Sequence, residues 1–160
     1  VEDCTFDVGV IAGTCNKSFV ENVTWLEDEL SVFARPDHPL AGKERVTVED
    51  LADCEWVLRE EGSGTLEVFM NALPGEVKPI KAAMECNSLE AIKRMVEHGG
   101  LLGCISRKAI RREVAAGILK EIPTPFLNLK RQYYFLVHQQ RRQSLFLKTF
   151  LNHCMFGLEG

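Results

Sequence analysis

The sequence predicts an α/β layered fold with a mainly parallel sheet. Three observations carry that reading. Short apolar runs of strand length alternate nearly one for one with stretches of helical spacing. The runs end in Gly, Asn, Ser or Pro, where strands open into helix starts or turns. The 160 residues are 46% hydrophobic and 26% charged, so a full core is available. A chain of about this length buries roughly two-thirds of the surface its unfolded form exposes, and needs neither metal nor disulfide to do so.

The elements follow in order. Residues 8–12 read as a buried strand ending at Gly13-Thr14, and 30–34 as a second, closed by Arg35-Pro36-Asp37-His38-Pro39, where two prolines forbid regular structure. Thr47 with Asp50 three residues on caps a short helix. Trp56-Val57-Leu58 is a strand, and Gly62-Ser63-Gly64-Thr65 turns it into a helix with Leu66, Phe69, Met70 and Leu73 at helical spacing, stopped by Pro74-Gly75. Residues 80–84 form a strand. Asn87-Ser88 caps a helix whose Leu89, Ile92, Met95 and Val96 share one face, ended by Gly99-Gly100. A strand at 101–105, a basic helix at 106–114, a strand at 118–122, a loop bounded by Pro123 and Pro125, and a long strand at 130–137 follow. The last element is a helix over 144–154 with Leu147, Phe150, Leu151 and Cys154 inward.

Charge is uneven around a net of -4. Residues 1–30 hold seven acids against Lys17 alone, while 120–160 hold six bases against Glu121 and Glu159. No basic stripe is dense enough for phosphate-backbone binding by this segment. No apolar run approaches the ~20 residues that span a bilayer, and the first residues lack the basic and apolar regions of a secretion signal, so no membrane role is expected. The six cysteines form no C-x-x-C pair and read as reduced thiols, with Cys86 and Cys104 as small buried apolar groups. The four histidines show no ligand spacing; neither metal nor cofactor is expected.

The loop Gly62-Ser63-Gly64-Thr65 carries the chemistry. It sets two hydroxyls and free backbone N–H groups at a helix start, where the dipole favours an anion by about 0.3–2 kcal/mol. Asn87-Ser88 and Ala12-Gly13-Thr14 repeat the logic at other strand ends, and together the three ends would line a crevice at the carboxyl edge of a sheet. Plain helix capping by Ser63 or Thr65 is the alternative. The Walker pattern and the Gly-x-Ser-x-Gly elbow are both absent. Enzyme chemistry would fall to Glu60 and Glu61, which as neighbours after a strand point apart. No enzyme is expected.

Several segments resemble the effector-binding domain of LysR-type transcriptional regulators. Asp7-Val8-Gly9-Val10-Ile11 is similar to the family's D-L-G-I strand, and residues 30–40, LSVFARPDHPL, to its crossover segment. WVLREEGSGT at 56–65 resembles its most recognisable loop, and 87–96 with Gly99-Gly100-Leu101-Leu102-Gly103 its helix, glycine turn and strand. RKAIRREVAAGIL at 107–119 fits the next segment, with Ser106 where proline is usual. The resemblance implies a type 2 periplasmic-binding-protein-like fold: two Rossmann-like lobes, 1–36 with 129–160 and 37–128, joined by two crossover strands. Phe33, Ala34 and Arg35 would form the hinge outward, and Phe135, Leu136 and Val137 the hinge back.

By the same resemblance, a small anionic effector binds between the lobes through Ala12, Gly13, Thr14, Ser63, Gly64, Thr65, Asn87 and Ser88. The protein then works as a cytoplasmic dimer or tetramer that meets DNA through a helix-turn-helix outside this chain. The family's opening stretch of the first lobe is also absent, so that lobe is expected to be incomplete: either a fragment of a longer regulator, or completed by another copy at the open edge beside residues 8–11. A stand-alone solute-binding protein of the same fold is the alternative. Peroxide-sensing relatives carry a cysteine in the loop that here reads Gly62-Ser63-Gly64-Thr65; Cys54, eight residues earlier, is the nearest thiol, and thiol sensing is not expected.

Overall fold

The computed structural model describes residues 6–13, 15–75, 80–139 and 144–156. The chain runs β1 (Val8–Ala12), β2 (Val20–Ala34), a 3₁₀ turn (Pro39–Gly42), α1 (Val48–Ala52), β3 (Glu55–Leu58), α2 (Gly64–Ala72), β4 (Lys81–Glu85), α3 (Leu89–Gly99), β5 (Leu102–Ser106), α4 (Arg107–Ala115), β6 (Lys120–Glu121), β7 (Lys130–His138) and α5 (Leu145–Phe156). It divides into two compact units, residues 1–27 with 131–160 and residues 28–130. The chain passes from one to the other within β2 and returns within β7.

In residues 28–130 the strands lie in the order β2-β5-β3-β4, with β6 also on β2. β3 runs parallel to both β4 and β5. β2 is antiparallel to β5, with Leu30 opposite Ser106 and Phe33 opposite Gly103, and antiparallel to β6. The mainly parallel sheet expected from the alternation is thus confined to β4-β3-β5. Only those three strands are linked in sequence by crossover helices, which oblige parallel pairing; β2 carries the chain in from the other unit and has no such constraint.

Alternate strand residues serve two faces. Val32, Trp56 and Cys104 join Leu30, Leu51, Phe69 and Leu102 in one apolar cluster. Their neighbours Phe33, Val57 and Ile105 join Ile92, Val96 and Ile110 in another. Both faces are covered by helices, which is why these strands read as continuous apolar runs. Gly103 sits in mid-strand because a Cβ there would lie 2.6 Å from Phe33 Cζ. Gly100 ends α3 at φ 68°, a left-handed cap.

In the other unit the order is β1-β7-β2. β1 is antiparallel to β7, from Val8 opposite Val137 to Ala12 opposite Tyr133. Phe135, Val137 and Leu147 of α5 form a small core, with Trp25 stacked on Phe135 at 4.6 Å and its Nε1 donating to Cys154 O at 3.2 Å.

Several expectations need correction. β2 extends back to Val20 through the polar stretch 20–29, because pairing along a neighbour overrides weak local propensity. Phe150, expected inward, and Met70 and Leu89, read as part of the apolar faces of their helices, are 39%, 45% and 37% exposed: each helix covers a narrower stripe than its apolar residues span. Cys104 is buried as expected, but Cys86 is only half-buried, at the turn after β4. Among the described residues no helix is long and apolar enough to cross a membrane.

Candidate functional site

Because β3 and β4 are parallel, they finish at one edge. Leu58 lies opposite Glu85, and Cys86 N–H donates to Leu58 O at 2.9 Å. After β3, Ser63 N–H donates back to Glu60 O at 3.1 Å, with Gly62 at φ 83° supplying the turn. α2 then begins, and Ser63 Oγ accepts from Thr65 N–H at 3.3 Å. After β4, Ser88 Oγ accepts from Ala91 N–H at 3.3 Å and α3 begins. Ser63, Gly64 and Thr65 therefore stand beside Asn87 and Ser88, at two adjoining strand ends that open into helix N-termini.

Both serines are caps, as the alternative reading required. A hydroxyl that accepts a backbone bond still keeps its own proton to donate, so capping and anion binding are compatible. Ser63 and Gly64 are half-buried, Thr65 is 6% exposed, and Asn87 and Ser88 are exposed. Glu67 in the first turn of α2 and Glu90 in that of α3 oppose an anion there; Glu90 is drawn off by Lys93 at 2.6 Å.

Glu60 is held by Arg59, with Nε–Oε2 at 2.7 Å and Nη2–Oε1 at 2.8 Å. That pairing pulls its carboxyl down to about 2, far from the near-neutral range of a general acid–base group. Cys54 lies before β3, at the opposite end from the loops, and its thiol donates to Asp50 O at 3.2 Å. Burial, with Asp50 and Asp53, pushes that thiol up, away from thiolate reactivity.

Ala12 and Gly13 belong to the other unit, at the end of β1. Gly13 stands at φ 105° and donates to Gln132 O at 3.1 Å. Thr14 lies outside the described residues. Phe33 and Ala34 are buried within 28–130, with Arg35 beside them paired to Asp37. Phe135 and Val137 are buried and Leu136 half-buried in the other unit, while the chain changes unit at 27/28 and 130/131.

A third strand end escaped the sequence reading. Ser106 closes β5 but does not cap α4; its hydroxyl donates to Asp28 Oδ1 at 2.8 Å. Next to it, Arg107 bridges Glu29 and Glu121. No local pattern signals this group, whose hydrogen-bonded pairs lie up to 78 positions apart. Among the described residues, no group of three or more His, Cys, Asp or Glu side chains is arranged to hold a metal.

The sequence pattern of the LysR substrate binding domain family matches residues 1–156. The uncharacterized HTH-type transcriptional regulator YeiE of Escherichia coli K12 is 41% identical over 154 residues, 96% of this chain and 52% of that protein. HTH-type transcriptional regulator CysL of Bacillus subtilis is 32% identical over 133 residues, 81% of this chain and 44% of that protein. The chain spans about half the length of these curated relatives. The CcmR regulatory domain of Synechocystis PCC6803, solved in complex with 2-PG, superposes with a TM-score of 0.87 at 26% identity, over 99% of this chain and 76% of that one. The effector-binding domain of QuiR, solved in complex with shikimate, shares the fold alone: TM-score 0.81 at 17% identity, over 96% of this chain and 72% of that one. With two parallel strands ending in paired helix starts and this match along nearly its whole length, the chain belongs to the LysR substrate binding domain family, as an effector-binding domain of LysR type with the periplasmic-binding-protein-like fold.

Proposed function

We propose that this domain senses a small anionic metabolite through Ser63, Gly64, Thr65, Asn87 and Ser88, with Ala12, Gly13 and Thr14 contributing from the other lobe. In this reading the lobes are 1–36 with 129–160 and 37–128. Their relative motion is taken up at Phe33, Ala34 and Arg35 and at Phe135, Leu136 and Val137. Occupancy alters DNA binding by a helix-turn-helix outside this chain, in a cytoplasmic dimer or tetramer. The observation that carries it is the adjoining pair of helix starts after β3 and β4, each with a serine hydroxyl at its cap. Its relatives' names as transcriptional regulators favour a sensor over a solute carrier.

The test is equilibrium binding of sulfate, phosphate, 2-PG and shikimate to the chain, read by thermal stability and by direct titration. A ligand at a hundredfold its Kd adds about 2.7 kcal/mol. Each hydroxyl bond to an anion contributes about 1.5–3 kcal/mol, so Ser63→Ala should weaken binding roughly ten- to hundredfold. That variant also loses a cap, so affinity and not melting temperature is the readout. Unchanged affinity in both Ser63→Ala and Thr65→Val would remove the loop from the site.

A further inference from the structure

A cavity of about 680 Å³ opens within residues 28–130, bordered by β2, the first residue of α4 and the segment 121–130. None of Ser63, Gly64, Thr65, Asn87 and Ser88 lines it. Its size is within the range of small-molecule sites, roughly 300–1,000 Å³. Leu30, Ile122, Leu127 and Leu129 give it an apolar floor, each 7% exposed or less, and Phe126, 39% exposed, lines it as well.

The rim carries both signs of charge. Arg107 donates to Glu29 (Nη1–Oε2, 2.5 Å) and to Glu121 (Nε–Oε2, 2.7 Å), and the buried Ser31 hydroxyl donates to the same Glu121 oxygen at 2.7 Å. Glu121 Oε2 thus takes two donors. Among the described residues Glu29 takes one, from Arg107, and a carboxylate has roughly four lone-pair sites. Lys130 lines the cavity too and has no ion-pair partner among the described residues. Leu30 N–H donates to Leu129 O at 2.9 Å, so Glu29 and Lys130 are each next in sequence to one end of a single backbone bond.

Two acids and two bases around an apolar floor disfavour a simple anion, which would face Glu29 and Glu121. They equally disfavour a simple cation, which would face Arg107 and Lys130. A zwitterion satisfies both. We propose that this cavity binds a free α-amino acid with an apolar side chain, its ammonium on Glu29, its carboxylate on Lys130 and its side chain against Phe126 and the leucine floor. This site is separate from the loops at 63–65 and 87–88, and it stands on its own geometry whether or not those loops bind an anion.

The test titrates isotope-labelled chain with L-phenylalanine and L-leucine while following backbone amide signals, beside N-acetyl-L-phenylalanine, which lacks the ammonium, and L-phenylalaninamide, which lacks the carboxylate. The expected result is saturable shifts at residues 29–31 and 121–130 with at least one free amino acid. Losing either charged end of the ligand, or Lys130→Met, should weaken binding by at least about tenfold. Glu29→Gln provides a second variant should Lys130→Met fail to fold. The proposal is overturned by any of three outcomes: no saturable shift at millimolar amino acid, equal binding of the blocked ligands, or shifts at 62–65 and 86–88 in place of the cavity.

Discussion

Residues 28–130 bury apolar side chains on both faces of their sheet, whereas the described residues of the unit formed by 1–27 and 131–160 form one small cluster. Of the twelve largest fully buried side chains among the described residues, eleven belong to 28–130 and only Phe135 to the other unit. That other unit instead exposes Phe6 at 66%, Val10 at 47% and Leu145 and Phe146 at 80% each. The two stretches are alike in apolar composition, so the difference lies in coverage. A sheet with helices on both sides converts apolar sequence into core, and a sheet edge with a single helix leaves part of it outside.

The comparison is broken or sharpened by where truncation costs most. Trp56→Ala should have the largest effect, about 3–5 kcal/mol by urea unfolding, because the ring is fully buried against Phe69 and its Nε1 donates to Leu51 O at 2.9 Å. Phe135→Ala, equally buried but packed in the smaller cluster beside Trp25 and the half-exposed Phe150, should cost about 3 kcal/mol or less. Equal losses at the two sites would erase the contrast.

Next comes the polar clamp within 28–130. Lys93 is 8% exposed and meets Glu113 of α4 at 2.6 Å and Ala109 O at 3.3 Å, while Glu113 Oε2 is buried with no hydrogen-bond partner among the described residues. Lys93→Met strands that carboxylate and should cost about 1–3 kcal/mol, less than a fully dry pair because Glu113 retains 23% exposure. The bond from Lys93 holds the Glu113 carboxyl below its ordinary value. The pair's contribution is therefore present above the unfolded pKa of about 4.3 and is lost as pH falls through the lower folded value. Acid titration of stability should be flatter in Lys93→Met than in the parent; identical curves would deny the clamp. The smallest effect belongs to Phe146→Ser on the exposed start of α5, within about 0.5 kcal/mol, with reduced self-association by light scattering as its visible consequence.

Much of this was legible in the residues. The capping box at Thr47 forms both of its bonds with Asp50, and Ser63 and Ser88 cap α2 and α3 where their spacing put them. Each of those signals joins residues two or three positions apart, so no tertiary partner is needed to make it. The candidate loops were legible for the same reason, as strand ends followed by hydroxyls. The aromatic and aliphatic core of 28–130 followed from alternation. What alternation could not show was that Phe150, Met70 and Leu89 lie at the margins of their helix faces, since a stripe predicts a direction and not the width of the surface that meets it.

The sequence by itself determined the order of strands and helices and the caps of α1, α2 and α3, because these depend on neighbours within a few positions, whereas the parallel pairing that sets two helix starts at one sheet edge joins strands about 26 positions apart. Only the tertiary structure decided that the polar half of β2 is a strand, that β2 meets β5 antiparallel, that Lys93 is buried, and that Ser106 turns from its helix to Asp28. The same holds for Arg107, which lies 78 positions from Glu29 and 14 from Glu121. Contacts of that range are set by packing between elements. A charged residue met along the chain carries no mark of which distant opposite charge the fold will bring to it.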